Sequence, residues 1–166
     1  MKLRAAIPGD VPSILGFIHL LAAYEREPDA VEMTAEQLED ALFGPSPRAE
    51  ALIAELDGAP RGTALWFQSF NTWTGRPGLY VEDVYIEPAY RKHGIGRAIF
   101  KHLAKLAVTR GYARMEWSVL DWNEPAIKFY QNLGAVAQTE WHKYRLSGAA
   151  LAAVAGTTEI LGAEHG

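Results

Sequence analysis

The sequence predicts an α/β protein whose elements follow the order βααβββαβαβ, a central sheet flanked by helices. Three observations carry that prediction. Leu79-Tyr80-Val81-Glu82-Asp83-Val84-Tyr85-Ile86 is apolar and β-branched and stops at Glu87-Pro88, as a strand does. After a basic glycine loop, Ile95, Ile99, Leu103, Leu106 and Ala107 recur at three- and four-residue intervals, the spacing of one helix face. Asn123-Glu124-Pro125 opens a further helix with a capping residue, an acid and a proline in its first turn, and Gly134 closes it.

The remaining elements follow in chain order. Leu3 to Ile7 is a short strand ended by Pro8-Gly9, and Asp10 is the expected N-cap of a helix whose apolar face is Val11, Ile14, Leu15, Ile18 and Leu21. Thr34-Ala35-Glu36-Gln37 is a capping box opening a second helix toward Phe43, broken by Gly44-Pro45-Ser46-Pro47. Ala51 to Leu56 and Thr63 to Phe70 are strands joined through Asp57-Gly58, a hairpin signal that Pro60 is expected to shift from its tightest form. Ala113 to Leu120 and Val136 to Leu146 complete the strands. Ser147 is placed to cap a short Ala-rich helix, and the chain from Gly156 onward reads as frayed. One domain over residues 1–150 with a tail at 151–166 is the expected organisation, since no linker, repeat or low-complexity block interrupts the chain.

Composition narrows the function classes. With 49% hydrophobic and 22% charged residues the chain is an ordinary globular sequence. A net charge of −4 argues against nucleic acid as a partner, although Arg91, Lys92 and Arg97 cluster locally. The absence of cysteine excludes disulfides, thiolate metal ligands and a cysteine nucleophile. His19, His93, His102, His142 and His165 form no ligand spacing, so no metal is expected. No apolar run is long enough to span a bilayer, and Met1-Lys2-Leu3-Arg4-Ala5 leads into no signal-peptide h-region, so the expected location is the cytoplasm. Trp66, Trp117, Trp122 and Trp141 are expected in core or interface positions.

The loop Arg91-Lys92-His93-Gly94-Ile95-Gly96-Arg97, between a strand and a helix, has the make-up of a pyrophosphate cradle. Glycines admit close backbone approach, and the helix N-terminus presents unpaired N–H groups and the positive end of its dipole. It is not a P-loop, because Gly96-Arg97-Ala98 lacks the Lys-Ser/Thr ending. Nor is it a dinucleotide fingerprint, because Ile99 stands where the third glycine belongs.

Arg91-x-x-Gly94-x-Gly96, followed at this separation by Trp122-Asn123-Glu124-Pro125-x-Ile127-x-Phe129-Tyr130, resembles the GCN5-related N-acetyltransferase (GNAT) family, the acetyl-CoA-dependent amine acetylators. Tyr24-Glu25, Trp73-x-Gly75 and Leu79-Tyr80-x-Glu82-Asp83 carry the resemblance further, to the diamine (spermidine/spermine) branch, over about residues 3–146. The resemblance implies a central twisted mixed sheet of about six to seven strands, acetyl-CoA as cosubstrate, a small-molecule amine acceptor and a homodimer. It also implies site residues. Val84, Tyr85 and Ile86 offer main-chain N–H groups to the acetyl carbonyl and pantetheine; Arg91, Lys92, His93, Gly94, Ile95, Gly96 and Arg97 hold the pyrophosphate. Asn123, Pro125, Ala126 and Tyr130 line the far wall. Tyr24, Glu25, Asn71, Trp73, Glu82 and Asp83 match an acceptor channel, with Glu82 as amine anchor or water-mediated base and Tyr130 as general acid.

The chemistry makes these roles sensible. An alkyl amine with a pKa of ~10.4 is neutral in only roughly one molecule in two thousand at pH 7, so a proton acceptor matters. A departing thiol of pKa ~8.5 needs its acid less. On a regular strand Glu82 and Asp83 point to opposite faces, and only a bulge lets them act together. Aromatic and carboxylate side chains together suit a cationic acceptor. Asn71 stands where the diamine enzymes carry an acid, which leaves an amino acid, a thialysine-like amine or a small diamine open as acceptor. A non-catalytic acyl-CoA-sensing module and a protein or peptide acetyltransferase are the competing readings.

Overall fold

Ala51-Leu52-Ile53-Ala54 is apolar at every position because the sheet that contains it is covered on both faces. In a computed structural model, which describes residues 1–156, the elements are β1 (Lys2–Ala5), α1 (Val11–Tyr24), α2 (Ala35–Phe43), β2 (Glu50–Leu56), β3 (Ala59–Asn71), β4 (Arg76–Ile86), α3 (Ile95–Thr109), β5 (Met115–Glu116), α4 (Glu124–Gln131) and α5 (Gly148–Ala155). The chain divides into two compact units, Met1–Trp122 and Asn123–Gly166.

The first unit holds a five-stranded mixed sheet in the order β1-β2-β3-β4-β5, antiparallel except for the parallel β4–β5 pair. Ala51, Ile53 and Leu65 face Val11, Ile14, Leu38 and Leu42 of α1 and α2. The alternate residues Leu52, Ala54, Ala64, Trp66, Leu79 and Val81 pack with Ile95, Ile99, Leu103 and Ala107 of α3. The predicted capping box forms: Gln37 N donates to Thr34 Oγ1 (3.2 Å), and Thr34 N donates to Gln37 Oε1 (2.9 Å).

Asp10 departs from expectation. It stands at the N-cap of α1 but makes no side-chain cap. Its carboxylate accepts from Arg4 Nη1 (2.6 Å), Arg4 Nη2 (2.8 Å) and Ile7 N (2.9 Å), tying β1 to the helix start. A bidentate guanidinium outcompetes a neutral N–H for a carboxylate. The β2–β3 connection is also tighter than expected. Asp57 (φ 52°) and Gly58 (φ 75°) make a two-residue turn with Leu56 opposite Ala59. Pro60 exerts its effect one step later, where the pairing jumps from Glu55–Pro60 to Ala54–Gly62 and leaves Arg61 as a bulge.

The sheet has five strands, fewer than the six to seven expected. Ala113–Leu120 contributes only Met115–Glu116 to the ladder. In the second unit Val136–Leu146 forms no strand: a turn in which Trp141 N donates to Gln138 O (3.4 Å) interrupts it, and Trp141 falls out of phase with Val136, Tyr144 and Leu146. In that unit Asn123 Oδ1 accepts from Ala126 N (3.4 Å) and caps α4. Gly134 (φ 85°) ends the helix, with its N–H bonded to Gln131 O and Ala135 N–H to Tyr130 O. Ser147 occupies the N-cap of α5 without a side-chain cap. The chain expected to fray from Gly156 lies, from residue 157, outside the described residues.

Candidate active site

The site in the first unit is built around one irregularity. In β4 the pairing jumps from Trp66–Val81 to Leu65–Asp83, so Glu82 is an extra residue, a β-bulge. The consequence is visible in which side chains face α3: Leu79 and Val81 before the bulge, Val84 and Ile86 after it. Tyr85 therefore faces the other way, stacked on Phe17 of α1 with ring centroids 5.6 Å apart. Asp83, two residues earlier, shares that side.

The bulge thus supplies what a regular strand could not, an acidic cluster. Burial, then the charges of Glu82 and Glu25, push the Asp83 carboxyl up to about 6. Glu25, at the end of α1, is itself raised by partial burial. Asp83, with Glu82 and Glu25 both close enough to repel its charge, makes a natural seat for an ammonium group.

Beside this cluster the sheet edge opens. The parallel ladder pairs Leu79 with Met115 and Tyr80 with Glu116 and goes no further. Beyond the bulge, residues Val84 to Ile86 pair with β3 but not with β5. Backbone groups along that edge are available to an extended ligand.

The edge leads into the basic loop. Pro88–Tyr90 forms a 3₁₀ turn, and Lys92 (φ 66°) and Gly94 (φ 80°) are both left-handed. The first intrahelical bond of α3 runs from Ala98 N to Gly94 O (3.0 Å), so the N–H groups of Ile95, Gly96 and Arg97 lie ahead of it. Gly94 gives no side-chain cap, and the first turn holds no acid. Lys92, His93 and Arg97 are exposed around this end. Capped α2 and α4 contrast with it: α3 alone of these three keeps its positive end open for an anion. Arg61 fastens the loop, through Arg61 Nη1–Glu87 Oε2 (3.3 Å), Glu87 N to Arg61 O (3.0 Å) and its guanidinium 4.7 Å from the Tyr90 ring.

Not every predicted residue plays the role its type suggests. The Arg91 side chain turns inward: Nε donates to Ile86 O (2.9 Å), and the guanidinium lies 5.1 Å from the Tyr24 ring and 5.8 Å from that of Tyr85. It braces the loop against Tyr24 and Tyr85. Asn71 and Trp73 sit at the tip of the β3–β4 hairpin, where Asn71 Oδ1 accepts from Trp73 N (3.0 Å). Asn71 lies six positions along β3 from Leu65, the partner of Asp83, or ~20 Å of strand. Within this chain they do not join the carboxylates. Tyr24 does lie near them, 5.8 Å from Trp122 by ring centroids. Arg26, which sequence reasoning passed over, holds its guanidinium 4.4 Å from the Trp122 ring. Trp122, expected in a core or interface position, is half-buried and packs with both Tyr24 and Arg26; Trp66 is buried, Trp117 packs edge-on against Phe100 (4.9 Å), and Trp141 is exposed.

In the second unit, Pro125 and Ala126 form the first turn of α4 behind the Asn123 cap. Tyr130 lies one turn on, its ring set edge-on to Phe129 at 5.5 Å.

A sheet edge left unpaired beyond a bulge and leading into an uncapped basic helix end is an arrangement suited to an extended, phosphate-bearing ligand. The model of the acetyltransferase (GNAT) family matches residues 14–135, and the chain belongs to that family. It is an acetyltransferase. Among its relatives is the thialysine N-epsilon-acetyltransferase of Sus scrofa, 39% identical over 93% of this chain and 96% of the relative. The L-ornithine N5-acetyltransferase of Arabidopsis thaliana is 28% identical over 92% and 87% of the two chains. An integron cassette protein of V. cholerae shares the fold, with a TM-score of 0.78 at 24% identity over 93% and 96%.

Proposed function

We propose that this enzyme transfers the acetyl group of acetyl-CoA to the primary amine of a small cationic acceptor, an amino acid with a side-chain amine or a diamine. The observation that carries this reading is the bulge at Glu82, which gathers Glu25, Glu82 and Asp83 beside the open edge of β4. The relatives include acetyltransferases of thialysine and of ornithine, and a spermidine/spermine N(1)-acetyltransferase-like protein of which this chain spans 22%. The family match runs across the boundary between the two units, which supports their working as one acetyltransferase domain.

The residues present fit acetyl-CoA. The uncapped end of α3 with Lys92 and Arg97 suits its pyrophosphate, and the N–H groups of Val84 to Ile86 suit its carbonyl and pantetheine. The cosubstrate supplies an acyl thioester. Glu25, Glu82 and Asp83 attract the acceptor as its ammonium ion. Glu82, directly or through a water, takes the proton that must leave before nitrogen can act as a nucleophile. Tyr130 donates its phenolic proton to the departing sulfur, a role that rests on the Asn123-Glu124-Pro125-x-x-x-Phe129-Tyr130 motif. We also propose a homodimer in the cytoplasm.

The test is release of free coenzyme A from acetyl-CoA across spermidine, putrescine, lysine, thialysine and a basic peptide. Turnover with one or more small amines is expected, falling ~10²–10⁴-fold in Tyr130→Phe or Glu82→Gln. Unchanged turnover in both variants overturns the roles. Binding of acetyl-CoA without turnover of any amine overturns the enzyme reading in favour of a sensing module.

A further inference from the structure

The end of α1 is strained in a way the activity so far described leaves unexplained. Arg26 N–H bonds to Ala23 O (3.2 Å) and Glu27 N–H to Ala22 O (2.9 Å), the paired bonds of a helix-ending motif whose left-handed position is usually glycine. Here that position is Arg26, with φ 69°. L-residues enter this region at a cost, and such outliers concentrate at functional sites. The conformation swings the guanidinium over Trp122, 4.4 Å from the ring, and the same indole packs against Tyr24 with ring centroids 5.8 Å apart. Among the described residues no carboxylate forms an ion pair with it.

Charge gives this placement a meaning. Glu25, Glu82 and Asp83 attract any ammonium, but they repel a carboxylate on the same acceptor. A site made of them alone favours a diamine over the amino acid that differs from it by one carboxylate. A cation on the same Tyr24–Trp122 wall offsets that preference. A guanidinium is the side chain best shaped to meet a carboxylate through two parallel N–H bonds, and stacking on an indole fixes its plane beforehand.

We propose that Arg26 is a specificity-determining residue: held over Trp122, it binds the α-carboxylate of an amino-acid acceptor whose distal amine is acetylated. The inference rests on the small-amine reading above and narrows it.

Matched acceptors test it. Lysine and pentane-1,5-diamine, and ornithine and putrescine, differ only in the carboxylate. Steady-state constants are measured for each in the full-length wild-type enzyme and in Arg26→Gly and Arg26→Lys. Glycine suits φ 69°, so Arg26→Gly removes the cation and relieves the backbone; a thermal melt no lower than wild type verifies this. The lysine-to-diamine ratio of kcat/KM is expected to fall about tenfold or more in Arg26→Gly, through a rise in KM for lysine, because a charge-assisted hydrogen bond is lost. Arg26→Lys, which keeps the charge and loses the fork, falls between. An unchanged ratio, or an equal loss on both acceptors, overturns the role of Arg26 and leaves the small-amine reading standing. If wild type acetylates none of the four, that reading fails and this inference falls with it.

Discussion

Replacing Asp83 with asparagine should stabilise the protein at neutral pH and leave it unchanged in acid. Burial, Glu82 and Glu25 raise the Asp83 carboxyl from an ordinary 3.8 to about 6. The raised value means that the folded state holds this proton more tightly than the unfolded chain does. Stability from that difference is fully present below pH 3.8 and disappears as pH rises to about 6. Above that, ionised Asp83 costs the fold up to ~3 kcal/mol, at 1.36 kcal/mol per pH unit. Asp83 is half-buried, and water access reduces this to ~1–3 kcal/mol. Asparagine has the same shape and no charge to bury, so Asp83→Asn recovers that amount, or ~3–10 °C in Tm for a chain of this length. Thermal unfolding of both proteins from pH 3.5 to 8 reads the effect directly. The gain should be near zero at the acid end, grow through pH 4–6 and level off above. A gain of the same size at pH 3.5 and pH 8 refutes the reasoning, because a pH-independent effect cannot come from this proton.

The other predictions follow from single contacts. The same titration should raise KM for a cationic acceptor as pH falls below about 6, since a protonated Asp83 no longer attracts an ammonium; an acceptor KM independent of pH between 5 and 7 contradicts it. Gly94→Ala finds open space for its methyl group but must hold φ at +80°, so it should cost ~1–2 kcal/mol and weaken acetyl-CoA binding, read by calorimetry. Asp10→Ala removes both bonds from Arg4 and leaves Ile7 N–H without its acceptor, for ~2–3 kcal/mol in urea unfolding. Arg4 holds the Asp10 carboxyl below its usual range, so this contribution is present at neutral pH and lost as pH falls below about 3.8.

Much of the fold was legible because local chemistry and tertiary demand agree. The capping box at Thr34, the Asn123 cap and the α3 apolar face each satisfy the backbone or the core by means that leave a mark in sequence. Where two partners compete, the mark misleads. Asp10 has the residue type of a cap, yet Arg4 claims its carboxylate from six residues away. Val136–Leu146 carries strand-forming residues, but nothing local dictates a ladder, and a turn at Gln138–Trp141 splits it.

The candidate site was legible in its residues and not in its geometry. The bulge at Glu82 did leave a trace: the apolar residues facing α3 move from odd positions, Leu79 and Val81, to even ones, Val84 and Ile86. A strand that keeps one face buried can change parity only by gaining a residue, so the change names the bulge and places it at Glu82 or Asp83. Arg26 left no such trace. Pro28 announces that the helix must end, but the left-handed residue at its close is ordinarily a glycine, and an arginine there reads as a solvated charge. Only the backbone angle and the Trp122 ring beneath the guanidinium separate the two meanings. Both features deform an otherwise regular element, a strand that gains a residue and a helix that ends on the wrong one. Each deformation redirects a charge, negative on β4 and positive over the Trp122 ring that also packs against Tyr24. An acceptor that carries both an ammonium and a carboxylate is the small molecule that gives both deformations a purpose.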